Sequence, residues 1–261
     1  MSKEHIFAEW LQKHLPKTGI LNHEVYSELT TLTGVETAVT KHSGEPHSGR
    51  IRCVCVPCNT GWMSRLQETT KPILLPLIAG NRIQLNRRQQ ENLSGWIAML
   101  TMVSEYRDRS RNRVAISQED RRWLKEHGTP PPKGWKIWLG NFSNQGEWRS
   151  IWVHSVAPIA GKEHIPERTD FGLDLPNTQS TTVVIGQLYV HVLSSALKSW
   201  VVRQDMAGRG RAVMPRLWPL LANGRRLRWP PTVGLSSAEA VALASSLYRS
   251  VKKVPPATGL R

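Results

Sequence analysis

Two Glu-His pairs and one cysteine cluster carry most of the chemistry-bearing residue types in this chain. The tetrapeptide KEHI occurs at Lys3–Ile6 and again at Lys162–Ile165. A carboxylate beside an imidazole is a pairing that can hold a divalent cation and take a proton from water, because imidazole titrates near neutral pH. All three cysteines, Cys53, Cys55 and Cys58, fall within RCVCVPCNTGW. No later cysteine exists to pair with them, which excludes a disulfide framework and points to a reducing compartment or a local metal site. Cys55-x-x-Cys58, at the end of an apolar strand-like run and before a helical one, has the spacing of half a tetrahedral thiolate zinc site.

The elements that must position these residues are readable in outline. IFAEWLQKHL puts Phe7, Trp10, Leu11 and Leu15 at helical spacing after the first KEHI. ELTTLTGVETAVT, rich in Thr and Val, reads as strand. The turn-forming SGEPHSG leads into a second strand, RIRCVCV, and TGWMSRLQETT then reads as a helix ending near Lys71–Pro72. Asn86 and Gln89 have capping-box spacing for a helix through Tyr106, with Leu93, Trp96, Ile97, Leu100 and Val103 as its buried stripe. Ser117 with Asp120 opens another helix, which Gly128 closes. After TPPPKG the texture changes: WKIWLGNF, EWRSIWVHSV and TTVVIGQLYVHVLSS alternate as strands of an antiparallel sheet. A last helix starts at Ser236, with Glu239 three residues on, and should bury Val241, Ala244, Leu247 and Val251. The expected class is α+β: a hairpin-helix unit over 1–75, a helical segment over 76–128, and an antiparallel sheet region over 129–261 closed by a helix.

Charge is the strongest compositional signal. Among 261 residues, 35 Lys and Arg stand against 20 Asp and Glu, a net +15. So large an excess destabilises a compact chain by self-repulsion and favours an anionic partner, of which nucleic acid is the commonest. The cations cluster. YRDRSRNR contains Arg107, Arg109, Arg111 and Arg113; GRGR contains Arg209 and Arg211, on a backbone expected to be flexible; NGRRLRW puts Arg225, Arg226 and Arg228 beside Trp229. Phosphate contact is the expected role of these arginines, with double-stranded DNA the leading partner and a protein partner the second. No apolar run approaches the roughly 18 residues of a membrane span, and MSKEHIFAEW has no signal-peptide core. A cytoplasmic protein without membrane contact is the expectation.

Taken together, KEHIF…WL and CxxCNTGWMSRL resemble the HNH endonuclease superfamily, in particular bacterial and phage HNH-like proteins, over residues 3–70. The resemblance implies a ββα-metal unit in which Glu4 is a metal ligand, His5 the general base and Asn59 the ligand on the helix. It implies Mg²⁺ (or Mn²⁺) as the catalytic cation and hydrolysis of DNA phosphodiester bonds. Cys55 and Cys58 then correspond to half of a structural Zn²⁺ knuckle, whose other Cys pair has no counterpart in this sequence. From His5 to Asn59 is 54 positions, so the resemblance also implies a long insertion between the strands. The second KEHI is followed by Asn177 and His191, but His191 lies in a strand-like run with no cysteine pair near it, and a polar loop is the better reading there. The alternative to cleavage is a degenerate member of the fold that binds nucleic acid or a protein partner without cutting, as a phage or mobile-element regulator or inhibitor would.

Overall fold

The computed structural model describes residues 2–15, 22–30, 34–43, 49–107, 114–142, 152–161, 165–167, 174–206, 209–221, 226–244 and 247, with residues 2–5, 22–26, 40 and 42 described as backbone. The fold is mixed α+β around a seven-stranded sheet. In chain order the strands are β1 (Ser2–His5), β2 (Asn22–Thr30), β3 (Val35–Ser43), β4 (Arg50–Val54), β5 (Ile83–Leu85), β6 (Trp135–Asn141), β7 (Trp152–Ala157), β8 (Thr178–Ile185), β9 (Leu188–Ser195), β10 (Arg216–Trp218) and β11 (Leu227–Trp229). The helices are α1 (Val56–Cys58), α2 (Ser64–Ile78), α3 (Arg87–Ser104), α4 (Gln118–His127), α5 (Lys198–Arg203), α6 (Arg209–Val213) and α7 (Ser237–Ala244).

The large sheet runs β10-β6-β9-β8-β7-β2-β3 and is antiparallel except between β2 and β7. Two smaller pairs, β1 with β4 and β11 with β5, stand apart from it. Helices cover both faces of the sheet, so its central strands are buried on both sides and read as continuous apolar and small-polar runs. Ile137, Leu139, Val183, Ile185, Val190 and Val192 face a core shared with α2 and α3. Their alternates Trp138, Val184, Tyr189 and Leu193 face a second core with Trp200, Val213, Ala240 and Leu247. This is the two-residue strand period acting on both faces.

The turn between β8 and β9 needs a glycine. Ile185 pairs with Leu188, which leaves Gly186 and Gln187 as a two-residue hairpin loop. Gly186 has φ +57°, and a Cβ there would sit 2.6 Å from both the Ile78 side chain and the Ile78 carbonyl. Gln187 N–H donates to that same carbonyl at 2.9 Å, docking the hairpin on the end of α2.

The capping signals act as expected. Asn86 accepts from Gln89 N–H while the Gln89 side chain accepts from Asn86 N–H, each at 2.9 Å. The five stripe residues of α3 are all buried. Ser117 accepts from Asp120 N–H, and Gly128 closes α4 at φ +66°. Trp135 Nε1 donates to Asp120 at 2.8 Å, tying α4 to β6. Ser236 and Glu239 cap α7 in the same reciprocal way.

Four local expectations are corrected. α2 does not end near Pro72 but runs through Pro72 and Pro76 to Ile78. The carbonyls that lose their donors belong to Glu68 and Pro72, both exposed, while Ile73, Leu74, Leu77 and Ile78 stay in the core. ELTTLTGVETAVT is two strands rather than one, with Thr30 opposite Val35. The partner of β4 is β1, not the strand before SGEPHSG; that strand, β3, pairs with β2 at the edge of the large sheet. The sheet therefore runs across the segment boundaries at 75 and 129. In α7 the buried residues are Ala240 and Ala244, with Leu247 buried beyond its end, whereas Val241 is 58% exposed, and Val251 lies outside the described residues.

Candidate functional site

β1 carries Glu4 and His5 into antiparallel pairing with β4, with Glu4 opposite Ile51 and His5 opposite Arg50. The register shifts between Ser2 and Glu4. Ile6 N–H donates to Gly49 O at 3.0 Å and extends the pairing by one bond. Just past the pair, Phe7 and Leu11 are buried in the main core and anchor the end of β1.

β4 leads directly into a helical corner. Cys55 is extended, with φ −76° and ψ 153°, and stands at the N-cap of α1. Pro57 sits in the first turn, where its missing N–H costs no helical hydrogen bond. Asn59 N–H donates to Cys55 O at 3.1 Å, so Asn59 lies one turn inside the helix. The next turn, Asn59–Met63, is a wide π turn broken at Gly61 (φ −95°, ψ −109°).

The two thiols of the CxxC interact. Cys55 is exposed and Cys58 half-buried, packed against the main core with Cys53, Val54 and Trp62. A hydrogen bond from the Cys58 thiol holds the Cys55 thiol below its ordinary pKa. That same bond, with burial behind it, pushes the Cys58 thiol up. Lys125, brought from α4, lowers both. The Trp62 indole N–H favours the Cys58 thiolate without reaching it as a regular hydrogen bond, since Trp62 Nε1 is buried with no partner. Two thiols of this type satisfy half of a tetrahedral zinc shell. Among the described residues no group of three or more His, Cys, Asp or Glu converges to hold a metal. Glu4 and Asn59 are oxygen donors of the kind a hard divalent cation takes. Trp62 and Lys125 were not singled out as site residues: Trp62 reads as a core anchor and Lys125 as a surface charge until the corner and α4 are brought together.

The expected phosphate-binding arginines divide. Arg107 is buried at 8% exposure, with its guanidinium 5.4 Å from the Trp152 ring. Burial lowers its pKa to about 10, and its side chain packs into the core against Trp152 rather than standing on the surface. Arg109, Arg111, Arg113 and Arg225 lie outside the described residues. GRGR is partly helical, since Arg209 and Arg211 belong to α6. Arg209 donates to Glu239 at 2.9 Å and Arg211 to Met206 O at 2.8 Å. Arg211, Arg226 and Arg228 line one cleft of about 850 Å³, together with Arg216, which the sequence pattern did not single out.

Of the second KEHI only Ile165 is described, and it is 75% exposed, while Asn177 and His191 are structural. Lys162, Glu163 and His164 lie outside the described residues. Asn177 is buried and bridges Ile159, accepting from its N–H at 2.9 Å and donating to its carbonyl at 2.8 Å. His191 is buried in β9 with Nδ1 2.8 Å from Thr182 Oγ1, and desolvation lowers its pKa to about 4. It is a neutral core imidazole, not the third member of a catalytic set.

No helix among the described residues is long and apolar enough to cross a membrane. Comparison with protein-family models, curated proteins and solved structures finds no match for this chain.

Proposed function

We propose that the corner formed by β1, β4 and α1 is the active centre of a metal-dependent HNH-type endonuclease that hydrolyses phosphodiester bonds in DNA. One observation carries the reading: the strand bearing Glu4 and His5 pairs antiparallel with the strand that runs straight into Cys55, Cys58 and Asn59. The pairing of Glu4 with Ile51 and of His5 with Arg50, on a strand that continues into the helix bearing Asn59, supports a strand-strand-helix reading of this corner. His5 takes a proton from the attacking water, a role suited to imidazole at neutral pH. Glu4 and Asn59 supply oxygen donors for Mg²⁺ or Mn²⁺. A bound divalent cation stabilises the charge that develops on the phosphate. Cys55 and Cys58 contribute two thiolates toward a structural Zn²⁺ that stiffens the strand-to-helix corner.

The decisive assay is nicking of supercoiled plasmid DNA with Mg²⁺ or Mn²⁺, comparing the wild-type chain with His5→Ala. The expected result is metal-dependent nicking that the substitution abolishes; nicking that survives it overturns the assignment. A second reading is nucleic-acid binding without cleavage, favoured by the arginine-lined cleft, which shares no residue with the corner. Salt-sensitive DNA binding with no cleavage in either metal supports that reading.

A further inference from the structure

The cleft that gathers Arg211, Arg216, Arg226 and Arg228 is assembled from three separate pieces of chain. β10 pairs with β6 and sets Arg216 opposite Trp138. β11 pairs with β5 and sets Arg228 opposite Gln84. α6 supplies Arg211. Four guanidinium groups thus face a single carboxylate among the lining residues, that of Asp205, which lies 3.6 Å from Arg216 Nη1. Convergence of this kind is electrostatically costly in the free chain, and an anion relieves it.

The cleft is not uniformly polar. Met214 and Leu227, both buried, form part of its wall with Leu221 and Pro231. Behind this wall, the indole N–H of Trp138 and Nε of Arg216 are enclosed in the fold without an acceptor among the described residues. At about 850 Å³ the space is that of a small-molecule site, which in general spans about 300–1,000 Å³. A complementary ligand has a strongly anionic end, a flat apolar body and polar edges for an exposed amide such as that of Gln84.

We propose that this cleft binds a phosphorylated nucleoside, with its phosphate on Arg211, Arg226 and Arg228 and its base against Leu221 and Pro231, the apolar lining residues that keep open surface. The nucleotide comes either free from solution or as one unstacked unit of a single strand; both present the same chemistry. The proposal does not depend on cleavage at the β1–β4 corner.

The test is isothermal titration of the full chain in EDTA, so that no metal-dependent cleavage intervenes. The probes are a nucleoside 5′-monophosphate, the unphosphorylated nucleoside, inorganic phosphate and an eight-residue single-stranded oligonucleotide. The monophosphate should bind at least tenfold tighter than either the nucleoside or inorganic phosphate alone. Arg226→Ala/Arg228→Ala, which alters two exposed side chains, should weaken it at least tenfold with the circular dichroism spectrum unchanged, and Arg122→Ala, an exposed arginine on α4 outside the cleft, should bind as the wild type does. An oligonucleotide that binds tighter than the monophosphate and is displaced by it identifies the strand as the source. In that case neutralisation by three arginines gives a slope of log K against log[salt] of about −2. A monophosphate that binds tighter than the oligonucleotide identifies the free nucleotide. Equal affinity for nucleoside and nucleotide, inorganic phosphate binding as tightly as the nucleotide, no binding of any probe, or an unchanged double variant each overturn the proposal.

Discussion

Glu105 offers a direct test of how the link between α3 and α4 is held. Its side chain is fully buried beside Arg121, with which it forms a short ion pair. Oε1 accepts from the backbone N–H of Ala115 at 2.7 Å and of Ile116 at 3.1 Å. His154 Nε2 lies 3.6 Å from the same oxygen. Arg121 also donates to Met102 O at 2.8 Å and stacks 4.6 Å from the Tyr106 ring centroid. Replacing Glu105 with Ala strands two amides and a largely buried guanidinium at once. Each buried unsatisfied amide costs about 1–3 kcal/mol, and removing one partner of a buried pair costs about 3–5 kcal/mol. These costs overlap, so the expected loss is about 4 kcal/mol, a large part of the roughly 5–15 kcal/mol of a typical domain. Urea unfolding followed by tryptophan fluorescence should show a midpoint lowered by about 1 M or more at unchanged slope. Glu105→Gln keeps one oxygen for the two amides but turns an NH₂ toward Arg121, and should fall between wild type and Glu105→Ala. Adding Arg121→Ala to Glu105→Ala removes the stranded charge, so the double variant should lose clearly less than the sum of the singles. A loss below about 1 kcal/mol for Glu105→Ala, or additive singles, would refute this account of the link.

Two further outcomes follow from titrating groups. Above about pH 6.5 His191 is neutral in both the folded and unfolded chain. Between pH 6.5 and its folded pKa of about 4, the unfolded chain binds a proton that the folded one excludes. Stability therefore falls with falling pH across that window, by up to about 3 kcal/mol; His191→Gln should flatten that part of the profile, and a superimposable profile contradicts the assignment. At the corner, iodoacetamide near neutral pH should modify Cys55 before Cys58, because the Cys58 thiol donates to Cys55 and favours its thiolate. Peptide mapping should show Cys55 alkylation slowed several-fold in Cys58→Ala, and equal rates for the two thiols in the wild type would contradict the hydrogen-bond direction.

What the sequence by itself determined was the local part of the fold. Asn86 with Gln89, Ser117 with Asp120 and Gly128, and Ser236 with Glu239 each place a helix end, because the groups they satisfy lie within four residues in the chain. The β-branched and aromatic runs in WKIWLGN and TTVVIGQLYVHVLSS, the second broken by the turn at Gly186, mark β6, β8 and β9. The chemical character of Cys55-x-x-Cys58-Asn59 at a strand-to-helix corner was legible for the same local reason. Tertiary structure alone decided which strands meet. Only pairing energy between distant segments puts β1 against β4 and sends β2 and β3 to the edge of a sheet otherwise built after residue 134. It also decided which charges are surface and which are interior. Arg107 occurs in a run that reads as phosphate-contacting cations, yet packing against Trp152 buries it. Arg216 stands outside every cationic run, yet the pairing of β10 with β6 brings it to the arginine cleft. Burial is a property of neighbours, and neighbours more than a few residues away leave no periodic trace in the chain.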